Sequence, residues 1–164
     1  MDIREVKDHK KQYIDLLLLA DEQEDMVDRY LDRGRMYILI NDGKVRSECV
    51  ITYEVNRTIE IKNLATYPVD QGKGYAKKLI NYISEKYKGD YKFLQVGTGD
   101  SPLTIPFYLK CGFKPSGRIK NFFVDNYNHP IYEAGQQLID MVYLKKKIEY
   151  RKIGTFDLRV PIFI

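Results

Sequence analysis

Two cysteines, Cys49 and Cys111, and two histidines, His9 and His129, are all the thiols and imidazoles this chain has. Two cysteines do not build a disulfide framework, which points to a reducing, cytoplasmic compartment. The histidines stand far apart and nothing near them has metal-ligand spacing, so no metal is expected. No apolar run approaches the roughly 20 residues of a membrane helix. Met1-Asp2-Ile3-Arg4-Glu5 carries charge where a signal peptide needs an apolar segment. Charge of one sign is also scarce. The 27 basic and 23 acidic residues leave +4, with the lysines scattered, which argues against nucleic acid as a partner. No Gly-x-x-x-x-Gly-Lys-Ser/Thr pattern exists, which argues against an NTPase. Gly97-Thr98-Gly99 ends in Pro102 where a dinucleotide loop needs its third glycine.

What is present is ordinary in amount and informative in order. With 164 residues, 44% of them hydrophobic, one domain with a real core is expected, without repeats or a dividing linker. The chain is organised around residues 60–88. Ile59, Ile61 and Asn63 alternate with Glu60, Lys62 and Leu64, as a pleated strand requires. Pro68 stops sheet pairing, and Gln71-Gly72-Lys73-Gly74 makes a turn. Ala76, Leu79, Ile80, Ile83 and Tyr87 then follow at helical spacing, with Lys77, Lys78, Asn81, Glu85 and Lys88 opposite. A glycine turn that opens a helix is an anion site. The first amides of the helix have no internal partner, the dipole is positive there, and glycine lets a phosphate come close. Lys73 adds a full charge. A diphosphate-carrying cofactor seated on the amides of residues 72–76 is the expectation.

The rest of the chain reads as alternating elements. Residues 3–6 form a strand, and Asp8 caps a helix that runs to about Ala20 on Ile14, Leu17 and Leu18. Asp21-Glu22-Gln23-Glu24-Asp25 opens a second helix, buried through Val27, Tyr30 and Leu31 and ended by Gly34. Strands at residues 36–40 and 44–53 flank the hairpin signal Asn41-Asp42-Gly43, and a turn at Asn56-Arg57 leads into the central strand. Phe93-Leu94-Gln95-Val96 is a short strand. Its strand–helix–strand connection predicts parallel pairing with the Glu60 strand. A loop over residues 97–102 precedes a short helix to about Lys110, with Pro106 irregular inside it and Gly112 as its cap. Residues 113–123 read as a strand broken at Pro115-Ser116-Gly117, residues 125–130 as a loop, and residues 137–144 as the last strand. Lys145-Lys146-Lys147 is read as a solvated charge run. The tail ends in apolar Val160-Pro161-Ile162-Phe163-Ile164, which suits an extra edge strand, a dimer arm or an appendage.

These residues resemble the GNAT superfamily of acetyl-CoA-dependent N-acetyltransferases. The family's phosphate motif, Gln/Arg-x-x-Gly-x-Gly/Ala, stands here as Gln71-Gly72-Lys73-Gly74-Tyr75-Ala76, after a strand and at the start of a helix. The family's Tyr in a short helix that ends in Gly-Phe stands as Phe107-Tyr108-Leu109-Lys110-Cys111-Gly112-Phe113. The resemblance covers residues 1–148, a GNAT domain, and leaves residues 149–164 as a tail of open role. It implies an α/β (α+β) fold. A mixed, mostly antiparallel sheet of six to seven strands is flanked by about four helices, with a splayed parallel pair at the cofactor site. It implies acetyl-CoA as co-substrate, with the pantetheine arm along the backbone of Leu64, Ala65 and Thr66 and the pyrophosphate on Gln71, Gly72, Lys73, Gly74, Tyr75 and Ala76. Where the family often has an Asn seven residues before the Tyr, Ser101 stands here, with a hydroxyl able to make a similar bond.

The chemistry then follows. Acyl transfer from a thioester needs a neutral amine, donors for the developing oxyanion, and a proton for the leaving thiolate. By resemblance, Tyr108 is the acid, Glu60 the base working through water, and a backbone amide at residues 64–66 the oxyanion donor. Lys62 on the same strand could pair with Glu60 and weaken it as a base. Cys111 and His129 read as packing and loop residues. The acidic residues Asp21, Glu22, Glu24, Asp25, Asp28 and Asp32 read as a solvated helix face, or as an attractor for a cationic acceptor. The expected partners are acetyl-CoA and an amine acceptor, with a homodimer open. Two alternatives stand beside the enzyme: a non-catalytic acetyl-CoA sensor on the same fold, and an interaction protein that oligomerises through its tail.

Overall fold

Reversals of the chain fall where small or polar residues allow positive φ. The computed structural model describes residues 1–149; the tail from residue 150 on, including the apolar end, lies outside the described residues. Asp42 (φ 53°) and Gly43 (φ 73°) turn strand β2 (Arg35–Asn41) into β3 (Lys44–Glu54), the primed-turn geometry that the Asn-Asp-Gly signal predicts. Asn56 and Arg57, both at positive φ, turn β3 into β4 (Thr58–Thr66). With β1 (Asp2–Val6), these strands form an antiparallel half-sheet. Helix α3 (Tyr75–Tyr87) carries the chain over to β5 (Phe93–Gly99), which pairs with β4 in parallel as predicted. The full sheet has seven strands in the order β1-β2-β3-β4-β5-β9-β6, where β6 is Lys114–Ile119 and β9 is Met141–Lys147.

Helices cover both faces. Leu79, Ile80 and Ile83 of α3 are fully buried against Leu39, Ile51, Ile59 and Leu94 of the sheet. Each such side chain contributes roughly 1.5–3 kcal/mol by leaving water. On the other face, helices α1 (Ile14–Ala20) and α2 (Glu24–Asp28) bury Leu17 and Val27 against Met36, Ile38 and Val50. Helix α4 (Ile105–Lys110) joins the α3 side through Tyr108. Helix α5 (Phe122–Asn126) and the ribbon of β7 (Tyr132–Glu133) and β8 (Gln136–Gln137) make a smaller cluster from Phe123, Ile131 and Leu138.

Several local expectations yield to tertiary contacts. Asp8 does not cap the first helix. A 3-10 turn at Lys10–Tyr13 intervenes, and Lys10 Nζ donates instead to the carbonyls of Leu31 (2.9 Å) and Gly34 (2.7 Å). The second helix starts at Glu24, because Asp21 is extended and its carboxylate is held elsewhere. Gly34 is required by crowding: a Cβ there would lie 2.8 Å from the Tyr30 carbonyl. In α3, Tyr75 takes the core position expected for Ala76. Pro106 sits in the first turn of α4, where its missing N–H breaks no bond. Residues 97–99 continue β5 rather than forming a loop. The expected strand over residues 113–123 ends at Ile119, because Asn121 (φ 57°) turns the chain and donates its N–H to Asp140. The last strand begins at Met141 because Leu138 turns into the small cluster. The lysine run 145–147 is part of β9, with Lys145 Nζ 4.9 Å from the Phe93 ring centre.

Candidate active site

The parallel ladder between β4 and β5 holds only from Thr58–Phe93 to Ile61–Val96. Both strands continue past it, so their facing backbones separate. A bulge at Lys62, where the β3 register shifts between Val50 and Ile51, turns β4 at this point. The bulge also reverses the expected alternation. Leu64 packs with Ile59 and Ile61 on the α3 side, while Asn63 turns to the α1 side and donates to Leu17 O. Between the separated strands opens a cleft of about 280 Å³, lined by Leu64, Ala65 and Thr66 on one wall and Gly97 to Gly99 on the other. The second wall is close-packed at Gly97, where a Cβ would lie 2.6 Å from Met141 Sδ and 3.0 Å from the Tyr143 ring, so those side chains would have to shift.

The glycine turn follows at the end of β4. Gly72 (φ 79°) and Gly74 (φ 82°) are both left-handed, and a Cβ at either would meet nothing within 4 Å. The first bond inside α3 runs from Lys78 N to Gly74 O at 3.1 Å. Among the described residues, the amides of residues 72–77 donate to no backbone or side-chain acceptor. The turn is anchored from below. Asp70, 3% exposed, pairs with Arg46 at 3.0 Å, and Gln71 Nε2 donates to Thr66 O at 3.1 Å. Lys73 is exposed beside this anchor, 3.6 Å from Asp70. Tyr75 is buried and its phenol accepts from Asn41 Nδ2, so only its backbone faces the turn. Ala76 is half-buried.

Tyr108 lines the cleft from α4. Its ring is wedged edge-on between Phe107 (5.1 Å) and Phe113 (5.4 Å), and Gly112 (φ 94°) ends the helix behind it. Burial, with Cys49 and Cys111 nearby, holds the phenol's pKa well above its usual value. Ser101 is 2% exposed and stands outside the cleft lining; its Oγ accepts Leu103 N at 3.1 Å. Glu60 also stands outside the lining. One of its oxygens pairs with Lys62 at 2.8 Å, the interaction expected from their shared strand, and the other accepts from Gln95 at 2.8 Å.

Asn63 and Tyr127, which the sequence did not single out as site residues, line the cleft, and Glu48, opposite Ala65 in the β3–β4 register, stands outside the lining. Glu48 on β3 is fully buried, neither oxygen meets a donor at hydrogen-bond geometry, and burial pushes its carboxyl well above the carboxylate range, offset in part by the Ala65 backbone. Asn63 is 3% exposed and lines the cleft; its Nδ2 donates to Leu17 O (2.9 Å) and Tyr30 Oη (3.0 Å), while its Oδ1 has no partner. Tyr127 donates to Asp21 Oδ1 at 2.7 Å, and Tyr30 to Asp21 Oδ2 at 3.0 Å. Asp21, expected on a solvated face, thus lines the cleft with Glu22 and Glu133. Burial raises its pKa and the two phenols pull it back. Asn63, standing where the alternation of Ile59 and Ile61 calls for another apolar residue, was the one local signal for this group.

Known proteins share this fold. Residues 32–115 match the family model described as an acetyltransferase (GNAT) domain. A Bacillus subtilis protein described as the uncharacterized N-acetyltransferase YvbK is 37% identical over 132 residues, covering 79% of this chain and 85% of that protein. A GNAT family acetyltransferase from Elizabethkingia anophelis, solved with acetyl-CoA bound, superposes with a TM-score of 0.83 at 34% identity, over 89% of this chain and 97% of that one. An IAA acetyltransferase from Bacillus cereus superposes with a TM-score of 0.82, also at 34% identity, over 89% and 98%. Among the described residues, no helix is long and apolar enough to cross a membrane, and no cluster of side chains suits a metal ion.

Proposed function

Because the chain belongs to the GNAT acetyltransferase family, we propose that it moves an acetyl group from acetyl-CoA to a primary amine by direct attack within a ternary complex. The observation that carries this is the row of unpaired amides at residues 72–77, at the end of β4 beside the cleft between β4 and β5. The site suits the coenzyme. Gly72 and Gly74 leave open space for phosphate oxygens, the amides and Lys73 supply donors and charge, and the amide-bearing arm adds to the β4 edge at Leu64, Ala65 and Thr66. Gln71 closes the loop between those two parts, and Ser101 supports the α4 entry. Acetyl-CoA supplies the thioester carbonyl.

The amine attacks as its free base; the N–C bond forms, the C–S bond breaks, and the amine loses one proton. Tyr108 gives its phenol proton to the departing sulfur and is later reprotonated from solvent. A backbone amide at residues 64–66 donates its N–H to the carbonyl oxygen as charge develops there. Glu60 takes the amine proton through water, in competition with its Lys62 and Gln95 contacts. Titration calorimetry tests the coenzyme half: acetyl-CoA binding should weaken at least tenfold in Lys73→Ala combined with Gly74→Ala. Undiminished binding would remove the turn from the site. The occupied oxygens of Glu60 favour one second reading, a domain that binds acetyl-CoA without turnover; an acetylated product from any amine rules it out.

A further inference from the structure

We propose that the acceptor is an amine with a second, permanent positive charge, and that Asp21 and Asn63 hold it. This rests on the N-acetyltransferase reading above and names its substrate class. Asp21 is the central observation. Its oxygens accept from two phenols, Tyr30 at 3.0 Å and Tyr127 at 2.7 Å, and among the described residues no cation lies within ion-pair distance. Arg29 acts on it only through space. Two neutral donors orient a carboxylate without neutralising it, and they leave about two of its four lone-pair positions open. The acidic residues of the lining, Asp21, Glu22 and Glu133, face one cation, Lys62, which is spent on Glu60. Glu22 has His129 at 3.6 Å, which counts only when the imidazole is protonated.

Asn63 supplies the second, independent observation. Leu17 O can only accept, so the bond to it fixes which end of the amide is Nδ2, and Oδ1 must then be the end that is free. This oxygen is buried and unpartnered, and Asn63 is one of the residues that line the cleft, so a ligand N–H entering there would give it the partner it lacks. Asn63 donates to Tyr30, and Tyr30 donates to Asp21, so the two acceptor groups belong to one rigid chain of bonds. In the same lining, Phe123 and Tyr127 stack at 5.5 Å and 20° and give the cleft an apolar surface suited to methylene groups. A monoamine must be neutral to react and would leave Asp21 unpaired. A diamine can lose one proton for attack and keep the other charge on Asp21.

The test compares α,ω-diamines with amino alcohols of the same length, by thiol release from acetyl-CoA and by calorimetric titration into the CoA-saturated protein. The diamines should show kcat/KM about tenfold or more above the amino alcohols, the size of one charge-assisted hydrogen bond, mostly through KM. Asp21→Asn should bring that ratio to about one, and added salt should shrink it in the unaltered protein, which keeps the proposal testable if the variant does not fold. Equal kcat/KM for the two series would overturn this inference and leave the acetyltransferase standing. Preferential diamine binding without any turnover would keep Asp21 and Asn63 as a cation site but overturn both the catalytic reading and the diamine as acceptor. Absence of preferential diamine binding would overturn the inference.

Discussion

Replacing Tyr108 by Phe removes one oxygen from the cleft and little else. The ring stays wedged between Phe107 and Phe113, and among the described residues the phenol has no hydrogen bond to lose. The stability cost should therefore stay well under about 1 kcal/mol, since no buried partner is orphaned. The catalytic cost is of another size. A positioned proton donor contributes about 10²–10⁴-fold, or roughly 2.7–5.4 kcal/mol of barrier. The two numbers separate the roles: kcat should fall by at least about 10² while the acetyl-CoA dissociation constant and melting temperature hold. Because burial keeps the phenol protonated, kcat of the parent protein should show no alkaline decline from this group below about pH 10. The assay is thiol release at saturating acetyl-CoA, alongside calorimetry of coenzyme binding. A kcat within about threefold of the parent, or a loss confined to coenzyme affinity, would refute Tyr108 as the proton donor.

Glu48→Gln tests the buried carboxyl. The folded pKa lies well above the unfolded 4.5, so the folded state keeps a proton that the unfolded chain loses. Its contribution is full below the unfolded value and declines as pH rises, by at most about 1.4 kcal/mol per pH unit. Urea unfolding should show a flatter fall in stability between pH 5 and pH 8 in the variant than in the parent; parallel curves would contradict this. Gly74→Ala forces an alanine to φ 82°, at a cost of about 1–2 kcal/mol, and should weaken acetyl-CoA binding more than tenfold by calorimetry. Unchanged affinity would count against phosphate binding at the turn. Glu60→Gln should lower kcat by about 10² at neutral pH if Glu60 takes the amine proton, and a change within threefold would exclude it.

Features that depend on neighbouring residues were legible in the sequence. The periodicity of Leu79, Ile80 and Ile83 specifies α3 and its buried face, Asn41-Asp42-Gly43 specifies a hairpin, and the strand–helix–strand step specifies the parallel β4–β5 pair. The left-handed Gly72 and Gly74 and the helix they open follow from the same short-range rules. Other features depend on which strands and loops come to lie together. The bulge at Lys62 reverses the faces of Asn63 and Leu64, and a strict period of two cannot announce it. Lys62 and Gln95 occupy the carboxylate of Glu60, and Gln95 arrives from the next strand. Asp21 reads as one acid among six on a helix until Tyr127, 106 residues away, donates to it and turns it into the cleft. Backbone turns and helix faces arise from local sterics and spacing, so the chain carries them in plain order. The partners of a buried charge are chosen by packing across the whole molecule, and only the folded protein brings those groups together.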